Sequence, residues 1–355
     1  MAYPETAALL IDLISQKLQD TGNATWTDAE ILLYFPEMLR KISQYAPHIR
    51  MLEFLIESRR GTASETSSGF LVDDVADQFV AGDVGKIAYN VTDRTWAYIK
   101  THTDATKIGV GNDIFADGEA YRIFNKNCNH QKEIYIGELT DWLWIDKIEF
   151  PAMEDPPRLV KWIERGRDVI RLDIDEEPDD SSVATAKKQV WVFFALRHKI
   201  SQLTTLTAKS VAAVVGATTM DVTNAQASAT IEMGQEFTIA NERARGIYML
   251  TANATTEADQ TATINFWPPL ESSVDTNEVI TFIPSTLTPR LEGIFTDLVV
   301  GKAIMSKAPK YLNQINKGGA RVHTDTYLMG KAIYDGAEEE LESLRGFEAP
   351  SICLP

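Results

Sequence analysis

Apolar residues recur along this chain with two different periods, and the switches between them divide it. Near the start, Ala7, Leu10, Ile11, Ile14 and Leu18 hold the i, i+3, i+4, i+7 spacing of one helical face, and Pro4 and Glu5 suit a first turn. The run Asp20, Thr21, Gly22, Asn23 breaks that helix. Thr27 and Glu30 then form a capping box that opens a second helix, whose stripe is Leu32, Phe35, Leu39 and Ile42. Pro36 lies inside this stripe, removes the hydrogen bond to Leu32 and predicts a kink or a break. Helical spacing returns at Thr288 and Pro289, an N-cap and N1 pair followed by Leu291, Ile294, Phe295 and Leu298, in a helix running to about Ala308. After Gly318 and Gly319 a last helix has Tyr327, Tyr334, Ala337, Leu341 and Leu344 on its inner face, turns Glu338, Glu339 and Glu340 outward, and stops at Gly346.

Between these ends the period shortens to two. Residues 51–58 suit a strand or a short helix, the strand being favoured, and the polar residues 61–66 read as loop. Strands follow at 70–72, 85–90, 95–101, 107–110 and 119–124, separated by Gly, Asn and Asp turns that accept positive φ. Three more lie at 133–136, 144–150 and 169–174; residues 190–197, apolar on both faces, belong in the middle of a sheet. A further run occupies 212–215, 219–222, 236–240, 246–252, 261–266 and 278–282. The expected class is therefore α+β: N- and C-terminal helices forming a helical scaffold, a central β-sandwich and two inserted small all-β modules. Its segments are 1–66 and 285–346 for the scaffold helices, 67–127 and 205–284 for the inserted modules, 128–204 for the sandwich and 347–355 for an extended tail.

Composition changes this picture little. The chain has 355 residues, 44% hydrophobic and 24% charged, which is ordinary for a globular protein and sets aside wholesale disorder. Charge matters more: 34 basic against 51 acidic residues give −17, which argues against a surface built to neutralise phosphates or to lie on anionic lipid. Such a balance keeps a protein soluble, and it also repels DNA that must slide past without sticking. Cys128 and Cys353 are too few for a disulfide framework and suit a reducing cytoplasm. The longest apolar run, 190–196, falls far short of the ~20 residues of a membrane helix. No basic segment precedes the first apolar residues, so secretion by a signal peptide is not indicated, and the Asn-x-Thr triplets at Asn23, Asn90 and Asn253 are chance matches.

Candidate chemistry is thin. Gly82, Gly85 and Lys86 suggest a P-loop, but the first glycine is misplaced and Ile87 stands where a magnesium-binding hydroxyl is needed. Gly109 and Gly111 belong to a hairpin turn rather than to a dinucleotide site. Cys128, His130 and His102 lack the spacing of a metal site, and the acids Asp173, Asp175, Glu176, Glu177, Asp179 and Asp180 lack the glycine and terminal glutamate of an EF-hand. No nucleophile elbow is present. Seven tryptophans, Trp142 and Trp144 among them, could stack on sugars, though alternate positions beside a strand are more often core. The expectation is a non-enzymatic chain without cofactor or metal.

The segments Leu10-Ile-Asp-Leu-Ile-Ser-Gln-Lys-Leu-Gln-Asp20, Trp26-Thr-Asp-Ala-Glu30-Ile-Leu, Tyr45-Ala-Pro47, Ile145-Asp-Lys-Ile-Glu-Phe-Pro151 with Pro156-Pro157 and Lys161-Trp162, Leu196-Arg197-His198, Val300-Gly-Lys-Ala-Ile-Met and 334–344 together resemble the bacteriophage head-to-tail adaptor (head-tail connector, head completion) proteins. The resemblance covers both ends and the 133–200 stretch; the inserts at 67–127 and 205–284 exceed the minimal family pattern, and Pro36 interrupts the second helix. It implies a virion neck protein assembled in the host cytoplasm: a homo-oligomeric ring of twelve copies between the portal protein and a tail tube or nozzle protein, passing DNA without specific binding and touching no membrane. It also implies a C-terminal tail reaching towards the portal. Independently, Phe347, Ile352 and Leu354 are apolar anchors suited to partner contact. An alternative is a tail or host-attachment virion protein whose β modules bind glycans.

Overall fold

The computed structural model describes residues 6–137, 139, 142–166, 168–175, 189–240, 247–270, 272–311 and 322–344. The fold is mixed α+β, with many antiparallel strands and a few helices. It divides into two compact units, one made of Met1–His48 and Ala195–Pro355, the other of Ile49–Phe194.

In the first unit the helices are α1 (Ala7–Lys17), α2 (Asp28–Leu32), α3 (Phe35–Tyr45), α4 (Pro289–Lys307) and α5 (Val322–Leu344). Thr6 caps α1 by accepting from the Leu9 amide. The capping box at α2 closes both ways: Thr27 Oγ1 accepts from the Glu30 amide at 3.2 Å, and Glu30 Oε2 accepts from the Thr27 amide at 3.1 Å. Pro36 produces a break, with α2 ending at Leu32 and α3 opening at Phe35 so that the proline sits in a first turn where no amide is missed. Leu10, Ile14, Ile31, Phe35, Met38 and Ile42 share one core with Leu291, Ile294, Phe295, Leu298, Val299 and Ala303. Phe35 meets Phe295 edge-on at 4.8 Å between ring centres.

The expected inner face of α5 needs one correction. Ala337, Leu341 and Leu344 are buried and Tyr334 is half-buried, but Tyr327 is 46% exposed. The close approach of α5 to α4 runs through Gly330, which is buried and sits against Gly301, so apolar contact begins a turn later than the sequence pattern suggests.

Among its described residues the second unit is mostly β, with strands β1 (His48–Leu55), β2 (Arg60–Thr62), β3 (Phe70–Val72), β4 (Ile87–Asn90), β5 (Thr95–Asp104), β6 (Lys107–Val110), β7 (Ala120–Phe124), β8 (Glu133–Tyr135), β9 (Trp142–Glu149), β10 (Lys161–Glu164), β11 (Val169–Asp173) and β12 (Gln189–Leu196). Six of them form the sheet β2-β7-β4-β5-β6-β3, and two three-stranded sheets, β1-β12-β9 and β10-β11-β8, take up the rest. Strand β12 is central in its sheet, as its two apolar faces require.

Residues after His48 contribute β1 to one sheet and β2 to another. Strand β2 carries no apolar alternation and is held by backbone pairing to β7, with Gly61 opposite Tyr121. A Cβ at Gly61 would collide with Asp73 and the Tyr121 ring, so the strand depends on a residue type that reads as loop.

In the first unit, β13 (Thr207–Ser210), β14 (Thr219–Thr223), β16 (Glu236–Ile239), β17 (Tyr248–Leu250), β19 (Ala262–Trp267) and β20 (Val279–Phe282) close a barrel in the order β13-β14-β19-β17-β16-β20; β15 (Thr230–Ile231) and β18 (Ala254–Thr255) pair beside it. Its interior holds Phe237, Tyr248, Phe266 and Phe282, with ring centres 5.5 to 6.0 Å apart from Phe237 to the others. A strand expected at 212–215 is absent; Ala213 makes only an isolated bridge to Val274, and Val214 and Val215 are exposed ahead of Gly216, whose φ is +80°. The pairing with β20 is made instead by the small and polar residues of β13.

His198 follows β12 and is buried. Its Nε2–H donates to the Ala46 carbonyl at 2.8 Å, its Nδ1 accepts from Thr286 Oγ1 at 3.0 Å, and its own amide donates to Ser43 Oγ at 2.9 Å. Burial pushes this imidazole down to about 4, against the opposing hydrogen bond to Ala46. In the unfolded chain the ring takes a proton near pH 6.5, so the contribution of the neutral ring is complete above that pH and is lost as pH falls towards 4. A histidine ring NMR titration should show at least one imidazole still neutral at pH 5; five rings all protonating near 6.5 would contradict this arrangement.

Candidate functional site

The N- and C-terminal segments that carry part of the family resemblance meet on the surface of the helical core. Lys17 Nζ reaches Thr296 Oγ1 at 2.7 Å and Asp297 Oδ1 at 2.8 Å. Lys307 pairs with Glu30 at 2.7 Å and Lys302 with Glu37 at 2.7 Å. Lys41 reaches Glu338 at 2.6 Å and Tyr334 Oη at 3.0 Å, and its ammonium lies 4.4 Å from the centre of the Tyr334 ring. Burial disfavours the Lys41 charge, but Glu338 and Tyr334 outweigh it and raise the ammonium above its ordinary range. The Trp26 indole donates to the Ala303 carbonyl at 3.2 Å, and Tyr34 shares a hydrogen bond with Ser306 at 2.7 Å. Each link joins the N-terminal helices to α4 or α5. Partly exposed pairs of this kind add little net stability, so their weight lies in fixing register.

The solvent face of α5 has two characters. Leu328 and Met329 are 55% and 61% exposed in its first half. Further on, Asp335 pairs with Lys331 and Glu340 with Arg290, while Glu339 and Glu342 are exposed. Phe347, Ile352 and Leu354 lie outside the described residues.

Asp83 and Lys86, from the segment resembling a P-loop, are committed to ion pairs: Lys86 holds Glu57 at 2.7 Å and Asp83 at 3.2 Å, and Arg59 binds both carboxylates. Nothing there is left to cradle a phosphate. Cys128 is buried, and burial pushes its thiol well up, so it is a packing residue under Phe124 and Ile87. Among the described residues no three potential ligands gather around a metal position. Of the acidic run only Asp173 and Asp175 are described, and both are exposed.

The tryptophans divide. Trp142 is half-buried and packs edge-on against Phe194 at 6.0 Å, whereas Trp144 is 41% exposed. Sequence reasoning missed Trp96 and Tyr98, which alternate with buried Ala97 and Ile99 on β5, stand 53% and 45% exposed, and meet edge-on at 5.3 Å. The alternation Trp-Ala-Tyr-Ile was the available signal: the small and branched residues face the core, leaving the rings outside.

No helix among the described residues is long and apolar enough to cross a membrane. No family model matches the chain, and no curated protein or solved structure does either.

Proposed function

We propose that this chain is a structural head-to-tail adaptor of a bacteriophage virion, forming a homo-oligomeric ring that joins the portal protein to a tail tube or nozzle protein and lets DNA pass. One observation carries the reading: the N- and C-terminal segments that resemble the family, about 280 residues apart, pack into a single helical core tied by Lys17, Lys302 and Lys307. In this reading the helices are the ring scaffold, 128–204 supplies the central β-sandwich, and 67–127 and 205–284 are inserted modules. Net charge of −17 suits a conduit from which DNA must slide free. The test is native mass spectrometry and electron microscopy of the full chain with the portal protein of its own phage. Closed rings of twelve bound to the portal are expected. A monomer that ignores the portal would sink the reading.

A second reading, a tail or host-attachment virion protein with glycan-binding β modules, is favoured by exposed Trp96 and Tyr98, since paired ring faces stack on pyranose C–H groups. It predicts glycan-array binding that vanishes in a Trp96→Ala, Tyr98→Ala double variant, whose stability stays within about 0.5 kcal/mol per site of the parent because both rings are exposed. An array with no signal counts against it.

A further inference from the structure

A concave polar site of ≈ 310 Å³ opens in the second unit, lined by Asn127, Asn129, His130, Glu133, Arg165 and Arg171. Two guanidiniums therefore share one small cavity. Neither Arg165 nor Arg171 has an ion-pair or hydrogen-bond partner for its side chain among the described residues. Arg171 is half-buried on β11 directly across from Glu133 on β8, and Arg165 sits at the turn between β10 and β11, where its amide donates to the Val169 carbonyl at 2.8 Å. Like charges placed together in a recess repel unless an anion lies between them.

The other walls are built to donate. His130 Nδ1 accepts from the Lys132 amide at 3.1 Å, which leaves the proton of the neutral ring on Nε2. The ring lies parallel to Phe124, at 3° and 6.5 Å, so its orientation is set by stacking. Burial, with Arg171 nearby, holds the imidazole below its ordinary range, so it is a neutral donor at pH 7. Asn127, at φ +57°, and Asn129 add amide side chains to the rim. One acceptor stands among the donors: Glu133 is buried and takes the Asn129 amide on Oε2 at 2.7 Å.

We propose that this cavity binds a phosphorylated sugar or polyol, with Arg165 and Arg171 holding the phosphate and Glu133 accepting from a hydroxyl. Two planar forks match the several oxygens of a phosphate ester, where a lone carboxylate would satisfy only one of them. The volume exceeds what a bare phosphate fills, which leaves space for the alcohol part. A carboxylate in an anion site is explained once the ligand also carries hydroxyl donors. This site goes beyond the adaptor reading and does not depend on it.

The experiment is calorimetric titration of the full chain with inorganic phosphate, glycerol phosphate and glucose 1-phosphate, beside glucose and glucuronate. Saturable binding of the two esters is expected, weaker binding of inorganic phosphate, and none of glucose. Arg171→Gln and Arg165→Gln should each weaken ester binding at least tenfold with the melting curve unchanged, Arg171→Lys should recover part of it, and Arg290→Gln in the other unit should change nothing. Arg165 is exposed, so its variant reports even if the Arg171 variant misfolds. The proposal is overturned by the absence of ester binding at millimolar concentration, by glucuronate binding as tightly as the esters, or by binding that survives both arginine substitutions. Self-association that both substitutions abolish, without any ester binding, would assign the cavity to protein contact and overturn it too.

Discussion

Gly301→Leu is expected to lower the stability of the helical unit by about 3 kcal/mol or more, the upper part of the range for overpacked cores. At Gly301 an added Cβ would lie 2.8 Å from the Gly330 carbonyl oxygen and 2.8 Å from the amide nitrogen and Cβ of Tyr334. At Gly330 it would lie 2.9 Å from the Gly301 oxygen, the Met305 amide and Ile304. Backbone atoms cannot swing aside as a side-chain tip can, so α4 and α5 must separate, and separation strips contact from Ile304, Ala337 and Leu341. Gly336 supplies the control: it lies in the same helix with nothing within 4 Å, so Gly336→Ala should stabilise by up to about 1 kcal/mol through helix propensity alone. Urea unfolding followed by far-UV circular dichroism reads both. A Gly301→Leu midpoint equal to the parent's would mean that the helices do not cross at these glycines.

The second large effect is expected in the other unit, where Arg59→Leu should cost about 3–5 kcal/mol by leaving two buried carboxylates without their main counter-charge. Arg59 Nε and Nη2 reach Glu57 at 2.9 and 2.8 Å, and Nη1 reaches Asp83 and the Gln78 carbonyl, each at 2.8 Å. Burial pushes the Glu57 carboxyl up, but Arg59 and Lys86 outweigh it and hold it at about 2; Asp83 is lowered by the same cations. Both acids are therefore depressed in the fold. Their stabilisation is complete above the unfolded value near 4.5 and is lost as pH falls from there towards 2. Five of the seven tryptophans lie between residues 49 and 194, so acid titration followed by tryptophan fluorescence reports mainly on this unit. The parent should unfold progressively below pH 4.5, and Arg59→Leu should already be destabilised at neutral pH. An unchanged acid midpoint in Glu57→Gln would contradict the depressed carboxyl.

The helices were legible because their signals are local. Thr27 and Glu30, Thr288 and Pro289, and the break at Pro36 each act within one turn of chain, and each forms as written. Strands with strong alternation, such as 219–222 and 120–124, were equally plain. What failed was non-local. The strand Thr207–Ser210 consists of small and polar residues that gain their place by pairing with β14 and β20, whereas the apolar Val214 and Val215 nearby end in solvent at a turn. Periodicity cannot report a partner contributed from 70 residues away. The site showed the same limit: the arginines of the cavity are unremarkable in sequence and acquire meaning only when β8 and β11 pair and bring Arg171 beside His130 and Glu133.

The division of the chain also sets an order in time. The β unit is continuous, from residue 49 to 194, and has all its strands once that stretch leaves the ribosome. The helical unit is split around it: Leu10, Ile14 and Met38 are made first, yet Leu291, Phe295 and Leu298, which cover them, are made about 250 residues later. At 5–20 residues per second, roughly ten to fifty seconds separate the two halves of one core. During that interval the first helices carry an uncovered apolar stripe, the kind of surface a chaperone holds. Pulse-chase synthesis should therefore show protease resistance of 49–194 before any resistance of the N-terminal helices.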